Sequence, residues 1–119
     1  MQSRFVRPAN SLIFVSDRNG GVVPEWADKQ ILWTRSCISV ACYPEQDGPT
    51  EVVLGRMVEV DPGHLAAFQG QLETPGRSVM VSTVTHESIL EMLVSERVTK
   101  VSIWLNHPRW ADKVIVGLA

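Results

Sequence analysis

The chain has 119 residues, 45% of them hydrophobic and 20% charged, which is typical of one globular domain covering residues 1–119. Its formal net charge is −2 and its Lys and Arg residues are scattered, so direct nucleic-acid binding, which needs clustered basic charge, is disfavoured. No apolar run approaches the roughly 20 residues that span a bilayer, and the polar N-terminus does not resemble a secretion signal. We therefore expect a cytoplasmic, bacterial-type protein without membrane association.

The first half of the chain contains short apolar runs separated by turn residues. Three strands are predicted there, and the third is expected to run antiparallel to the second: residues 11–16, 37–43 and 51–60. Between the first two strands, Pro24 breaks the regularity, and residues 25–33 fit either one or two helical turns or an irregular sheet edge.

The second half predicts further strands at residues 77–84, 99–106 and 112–119, after a hairpin turn at 74–76. Residues 65–73 fit either a helical stripe or a strand with a bulge at Gly70. Residues 86–95 fit either a helix or a strand. This pattern predicts a mainly β fold, a small single-domain antiparallel β-sandwich with at most one short helix. The alternative is an α+β fold in which residues 86–95 are helical.

Cys37 and Cys42 are the two cysteines of the chain and fall in one apolar stretch. On a strand, a spacing of five places them on opposite faces, with Cα atoms about 16 Å apart, beyond disulfide reach. We expect free thiols in a reducing compartment, and buried thiols are inert as nucleophiles.

An eight-residue segment occurs twice, as PEWADKQI at 24–31 and PRWADKVI at 108–115. The flanking residues differ, which argues against a duplicated structural unit. In one interpretation Trp26 and Trp110 cover the ends of the core, and the aspartates that follow cap nearby turns. In the other, Trp26, Asp28, Trp110 and Asp112 are paired anchors on a binding surface. The first interpretation is favoured, because buried tryptophans are common.

No motif for catalysis or for metal or cofactor binding is present. The spacings of His64, His86 and His107 match no metal-ligand pattern. The acidic loop with Glu45 and Asp47 lacks the ligand register of a calcium loop and is expected to be an exposed hairpin tip. The sequence therefore assigns no catalytic, metal or cofactor-binding residue, and it favours a protein that is not an enzyme.

Residues 24–119 resemble the competence protein J family. The matching positions include a Trp-x-Asp motif, a strand entry and an Arg-terminated apolar strand: Trp26, Asp28, Ile31, Ile38, Ser39, Thr50 and Arg56. HESILEML and VSIWLNHP are similar to further segments, and residues 111–115 fall where the family's last strand begins. The resemblance implies a small cytosolic protein that binds and inhibits a DNA-entry nuclease, and it assigns no inhibitory residues.

Three functional hypotheses follow. The first is a protein-binding β domain of the nuclease-inhibitor type, with its partner contacted by the two Trp-Ala-Asp-Lys segments and by Glu45 and Asp47. The alternative is a small-molecule or enzymatic site at the open end of the sandwich, formed by Asp17, Arg18, His107 and Arg109. The third is a homodimer that pairs through residues 112–119 as a free strand edge.

Overall fold

The computed structural model describes residues 1–119 as two five-stranded β-sheets packed face to face. In chain order the strands are β1 (Gln2–Val6), β2 (Leu12–Ser16), β3 (Ile31–Trp33), β4 (Cys37–Ala41), β5 (Thr50–Arg56), β6 (Phe68–Glu73), β7 (Ser78–Thr83), β8 (Ser88–Leu93), β9 (Val98–Leu105) and β10 (Lys113–Leu118). A 3-10 turn covers Ala9–Ser11, and one short helix, α1, covers Met57–Val60. No helix is long and apolar enough to cross a membrane.

The first sheet has the strand order β1-β5-β10-β9-β6 and the second has the order β3-β4-β2-β7-β8. Alternate residues of each strand point into the space between the sheets, where 16 buried residues form one continuous core. Valine and isoleucine dominate this core, as β-branched side chains pack well on a pleated surface. The predicted mainly β sandwich is confirmed. Antiparallel pairs predominate, and β5 with β10 is the parallel pair.

A second, smaller cluster lies on the outer face of the first sheet, where Val60 of α1 packs with Val53 and Trp104. Helix α1 lies close to the first sheet here, because the register partners Gly55 and Gly117 have no side chains to hold Val60 away. A Cβ at Gly117 would lie 2.9 Å from the Trp104 ring. The Trp104 indole is 3% exposed, and its Nε1 donates to the His64 carbonyl at 2.9 Å.

The two long sides of the sandwich are closed differently. On the β1/β8 side, the Gln2 amide donates to the Glu91 carbonyl at 2.8 Å and joins the sheets. On the β3/β6 side, the Glu73 N–H donates to the Arg35 carbonyl at 2.8 Å. Both β3 and β6 are edge strands, so their outward-facing backbone groups have no neighbouring strand.

Several predicted elements need correction. Residues 57–60 form α1 rather than the end of a strand, because the chain turns back to bury Val60 against the sheet. β5 does not pair with β4 but lies in the other sheet, between β1 and β10. The helical alternative for residues 86–95 is wrong, since β8 pairs with β7. The N-terminal strand β1 was not predicted, because its edge position leaves most of its side chains exposed.

Other corrections concern turns and edges. The turn at 74–76 links the two sheets and is not a hairpin. Residues 68–73 form a strand whose register runs unbroken through Gly70, and the register shift of the fold lies instead between Val81 and Ser82. Residues 112–119 are not a free edge: β10 is hydrogen-bonded on both sides, to β5 and β9, so no second copy can pair with it.

Candidate protein-binding surface

Four connections meet at one end of the sandwich, which we call the loop end: residues 7–11, 26–30, 42–49 and 106–112. Backbone hydrogen bonds tie them together. The Cys42 N–H donates to the Ser11 carbonyl at 2.8 Å, and the Tyr43 N–H donates to the Ala111 carbonyl at 2.8 Å. The Arg7 guanidinium adds a bond of 3.2 Å to the Glu45 carbonyl. The loop end is therefore a connected surface held by main-chain contacts.

Trp26 and Trp110 lie together at the loop end. They are 81% and 49% exposed, and they border the same cavity of about 480 Å³, with Asp28 and Arg109. The interpretation in which both rings cover the core is wrong, because both rings are exposed and neither packs with the buried core residues. The buried tryptophan of this fold is Trp104, on the outer face of the first sheet.

The second Trp-Ala-Asp-Lys segment lies in a turn whose polar groups are paired. The Asn106 amide donates to Asp112 Oδ1 at 2.6 Å. His107 Nδ1 accepts from the N–H groups of Arg109 and Trp110, at 3.1 and 2.9 Å, which leaves the ring proton on Nε2. The Arg109 guanidinium lies 5.4 Å from the centroid of the Trp110 ring. One face of this ring is therefore already covered by its own chain.

The predicted acidic residues also lie at the loop end. Asp47 and Asp112 border a cavity of about 410 Å³ together with Phe5 and Tyr43. The Glu45 N–H donates to Ser11 Oγ at 3.2 Å, which holds the acidic loop against the 3-10 turn. All six residues predicted for partner contact, namely Trp26, Asp28, Trp110, Asp112, Glu45 and Asp47, thus occupy one end of the molecule.

A third exposed tryptophan, Trp33, extends this surface along the β3/β6 side. Its ring is 61% exposed and packs against Phe68 at 5.0 Å between centroids. The two rings border a cavity of about 730 Å³ that also includes Lys29 and His107. Sequence reasoning did not assign Trp33 a role, because residues 25–33 fitted either helical turns or an irregular sheet edge and the exposure of the ring differs between the two.

We call Trp26, Trp33 and Trp110 the tryptophan surface. Lys29, Gln30 and Pro108 border both the cavity at Trp33 and the one at Trp26 and Trp110, so the two cavities are adjacent. Exposed tryptophans are uncommon on surfaces that contact only water, and they are enriched in protein interfaces. The arrangement is suited to contact with a protein.

The alternative small-molecule site does not assemble. Asp17 is fully buried, where Oδ1 accepts from the Gly76 N–H at 2.8 Å and Oδ2 accepts from the Asn19 N–H at 3.0 Å. Arg18 forms an ion pair with Glu91 at 3.4 Å. Both follow the C-terminal end of β2, whereas Arg109 lies near its N-terminal end. The expected convergence with His107 and Arg109 is therefore wrong.

The two thiols are unsuited to catalysis. Both are free and buried, as predicted. Burial raises the pKa of the Cys37 thiol to about 11 and that of the Cys42 thiol to about 12. Both side chains are therefore protonated at neutral pH and are poor nucleophiles.

No protein-family model matches the chain, and no curated protein matches its sequence. The fold is similar to that of ComJ from Bacillus subtilis, an inhibitor of the DNA degrading activity of NucA. The two structures correspond with a TM-score of 0.72 over 99% of this chain and 94% of ComJ, at 10% sequence identity. At this identity the likeness establishes the fold alone. The resemblance to the competence protein J family is thus confirmed at the level of the fold.

Proposed function

We propose that this chain is a non-enzymatic protein-binding domain that inhibits a DNA-degrading nuclease through the loop end and the tryptophan surface. The observation that carries the proposal is the meeting of Trp26 and Trp110 in one exposed cavity. Large, rigid aromatic side chains contribute the most to protein interfaces, because they bury much area at a small entropy cost. The fold of ComJ supports a nuclease as the partner.

Two exposed carboxylates at the loop end support the same partner class. The side chains of Asp28 and Asp47 are exposed and take part in no ion pair, whereas Lys113 is paired with Glu51. An enzyme that holds DNA uses basic side chains against the phosphates, and exposed carboxylates beside aromatic rings complement such a face. We further propose that the protein acts in the bacterial cytoplasm, since its two free thiols suit a reducing compartment.

The test is an inhibition titration. Purified chain is added to NucA, and separately to nuclease-active extract of the source cell, while degradation of double-stranded DNA is followed by fluorescence. We expect degradation to fall with added chain and to stop near a one-to-one ratio with the nuclease. The proposal is overturned if neither nuclease source is inhibited at a tenfold molar excess.

The variants locate the contact. Trp26→Ala/Trp110→Ala should abolish inhibition while keeping the folded circular-dichroism spectrum, since both rings lie outside the core. The matched control is Leu93→Ala, which removes an equally exposed apolar side chain, 70% accessible, from β8. If the control loses as much inhibition as the double variant, the loop end is not the contact surface.

A further inference from the structure

We propose that the groove between edge strands β3 and β6 binds an extended, acidic segment of a partner protein, which pairs with the sheet edge as an added strand. This inference rests on the proposed protein-binding function and names its binding mode. The groove is the cavity of about 730 Å³ beside Trp33 and Phe68. Three properties support an extended peptide as its occupant: backbone polarity, shape and charge.

The unpaired backbone groups of β6 face the groove. The Thr74 N–H donates to the Arg97 carbonyl of the segment entering β9, whereas the Glu73 N–H donates the other way, to Arg35. Because successive residues of a strand direct their backbone groups to opposite sides, Gln69 and Gln71 share the direction of Glu73. Their N–H and C=O groups therefore point away from β9, at an edge that has no further strand.

The same reasoning applies to β3. The Gln30 carbonyl accepts from the Ala41 N–H, and the Thr34 N–H donates to the Cys37 carbonyl, so the even-numbered residues face β4. Ile31 and Trp33 therefore direct their backbone groups outward. Edge strands of this kind are templates for strand addition, in which main-chain bonds supply affinity and alternate side chains supply specificity.

The shape of the groove suits a strand. Beyond one end of it, the hydrogen bond from the Glu73 N–H to the Arg35 carbonyl joins the two sheets, and Lys29 and Pro108 border it on the side of the loop end. Ile31, Phe68 and Leu105 form an apolar floor that packs on the core. Alternate apolar side chains of an extended peptide can lie on this floor.

The charge of the groove favours an acidic occupant. Lys29 is the one charged residue in its lining apart from the ionisable His107, and the lining contains no carboxylate. Lys29 forms no ion pair within the chain, unlike Lys113 in the second copy. Nδ1 of His107 accepts from the N–H groups of Arg109 and Trp110, so Nε2 is the ring nitrogen left to donate to a bound segment. A carboxylate of the bound segment is complementary to both groups.

The test is selection from a phage-displayed library of random ten-residue peptides on the immobilised full chain. We expect enriched sequences with alternating β-branched or aromatic residues and at least one Asp or Glu. A synthetic peptide of the enriched sequence is then titrated by fluorescence anisotropy. Lys29→Glu should lower the affinity for this peptide by at least about tenfold, because an attractive charge pair is lost and a repulsive one is gained.

The decisive variant is Gln69→Pro, which removes one outward-facing N–H and places a ring on the edge. Proline is tolerated on edge strands where the lost N–H faces solvent, so the fold should persist by circular dichroism. Peptide binding should be lost. Leu93→Ala serves as the control and should bind the peptide unchanged, because Leu93 is exposed on β8, at the opposite edge of the second sheet from β3.

Three results would overturn the inference: no enrichment above an uncoated surface, enrichment without acidic residues, or equal binding by folded Gln69→Pro. The nuclease titration separates this outcome from failure of the proposed function. A chain that inhibits the nuclease but selects no acidic peptide retains the function and loses the groove. A chain that selects the peptide but inhibits no nuclease retains the groove and loses the function.

Discussion

Residues 24–31 lead into β3, an edge strand with one neighbour, whereas residues 108–115 lead into β10, which lies between β5 and β9. Six of the eight residues are the same, yet their surroundings differ. Ala27 is half-buried and Ala111 fully buried, and Asp28 has no hydrogen-bond partner, whereas Asp112 bonds Asn106. The alanine and the aspartate of the second copy therefore make contacts within the fold that their counterparts in the first copy lack.

The alanines should show the largest difference between the copies. Ala111→Glu places a carboxylate where no water reaches, and we expect it to lower the free energy of unfolding by about 3 kcal/mol or more. Ala27→Glu should cost less than about 1 kcal/mol, because the new side chain can reach solvent. Urea denaturation measures both. Equal losses would contradict the assignment of the two copies to different environments.

The tryptophans should differ in partner binding. Trp26→Ala is expected to weaken nuclease binding by about 2 kcal/mol, roughly 30-fold, because its exposed ring is free to be buried by the partner. Trp110→Ala should cost about half as much, since Arg109 already covers one face of that ring. Surface plasmon resonance with immobilised nuclease compares the two. A larger loss for Trp110 would reverse the ranking of the copies.

The repeated segment and the acidic loop are local features, so the sequence alone could select them as candidates, and the fold brings them to one end of the molecule. The sequence could not predict which rings are exposed, since exposure depends on strand pairing between distant residues. Ala111 is fully buried, and its carbonyl accepts from the N–H of Tyr43, which is distant in sequence. Trp33 became a candidate only when its ring proved to be exposed beside the cavity between β3 and β6. The Val-Glu-Val alternation of residues 58–60 is typical of a strand. These residues form α1 instead, which buries Val60 against Trp104.

The two aspartates should differ in their contribution to the free energy of unfolding, by less than the two alanines do. Asp112→Ala removes the acceptor of the Asn106 amide, for an expected cost of about 1 kcal/mol. Asp28→Ala removes no hydrogen bond and should leave the unfolding midpoint unchanged. It should lower the affinity for a basic partner. Thermal unfolding followed by circular dichroism tests the first statement. If both variants unfold at the wild-type temperature, the Asn106 contact contributes nothing to the fold.

The lysines should show the smallest effect on stability and the clearest separation of stability from binding. Lys113 pairs with Glu51 at 3.6 Å, but its side chain is 47% exposed, so Lys113→Ala should cost less than about 0.5 kcal/mol. Lys29→Ala should not change stability at all, because Lys29 forms no ion pair within the chain. Only Lys29→Ala should lower the affinity for the acidic peptide that binds the β3/β6 groove. Since both changes remove one positive charge, a loss shared by both variants would indicate net charge rather than a located contact.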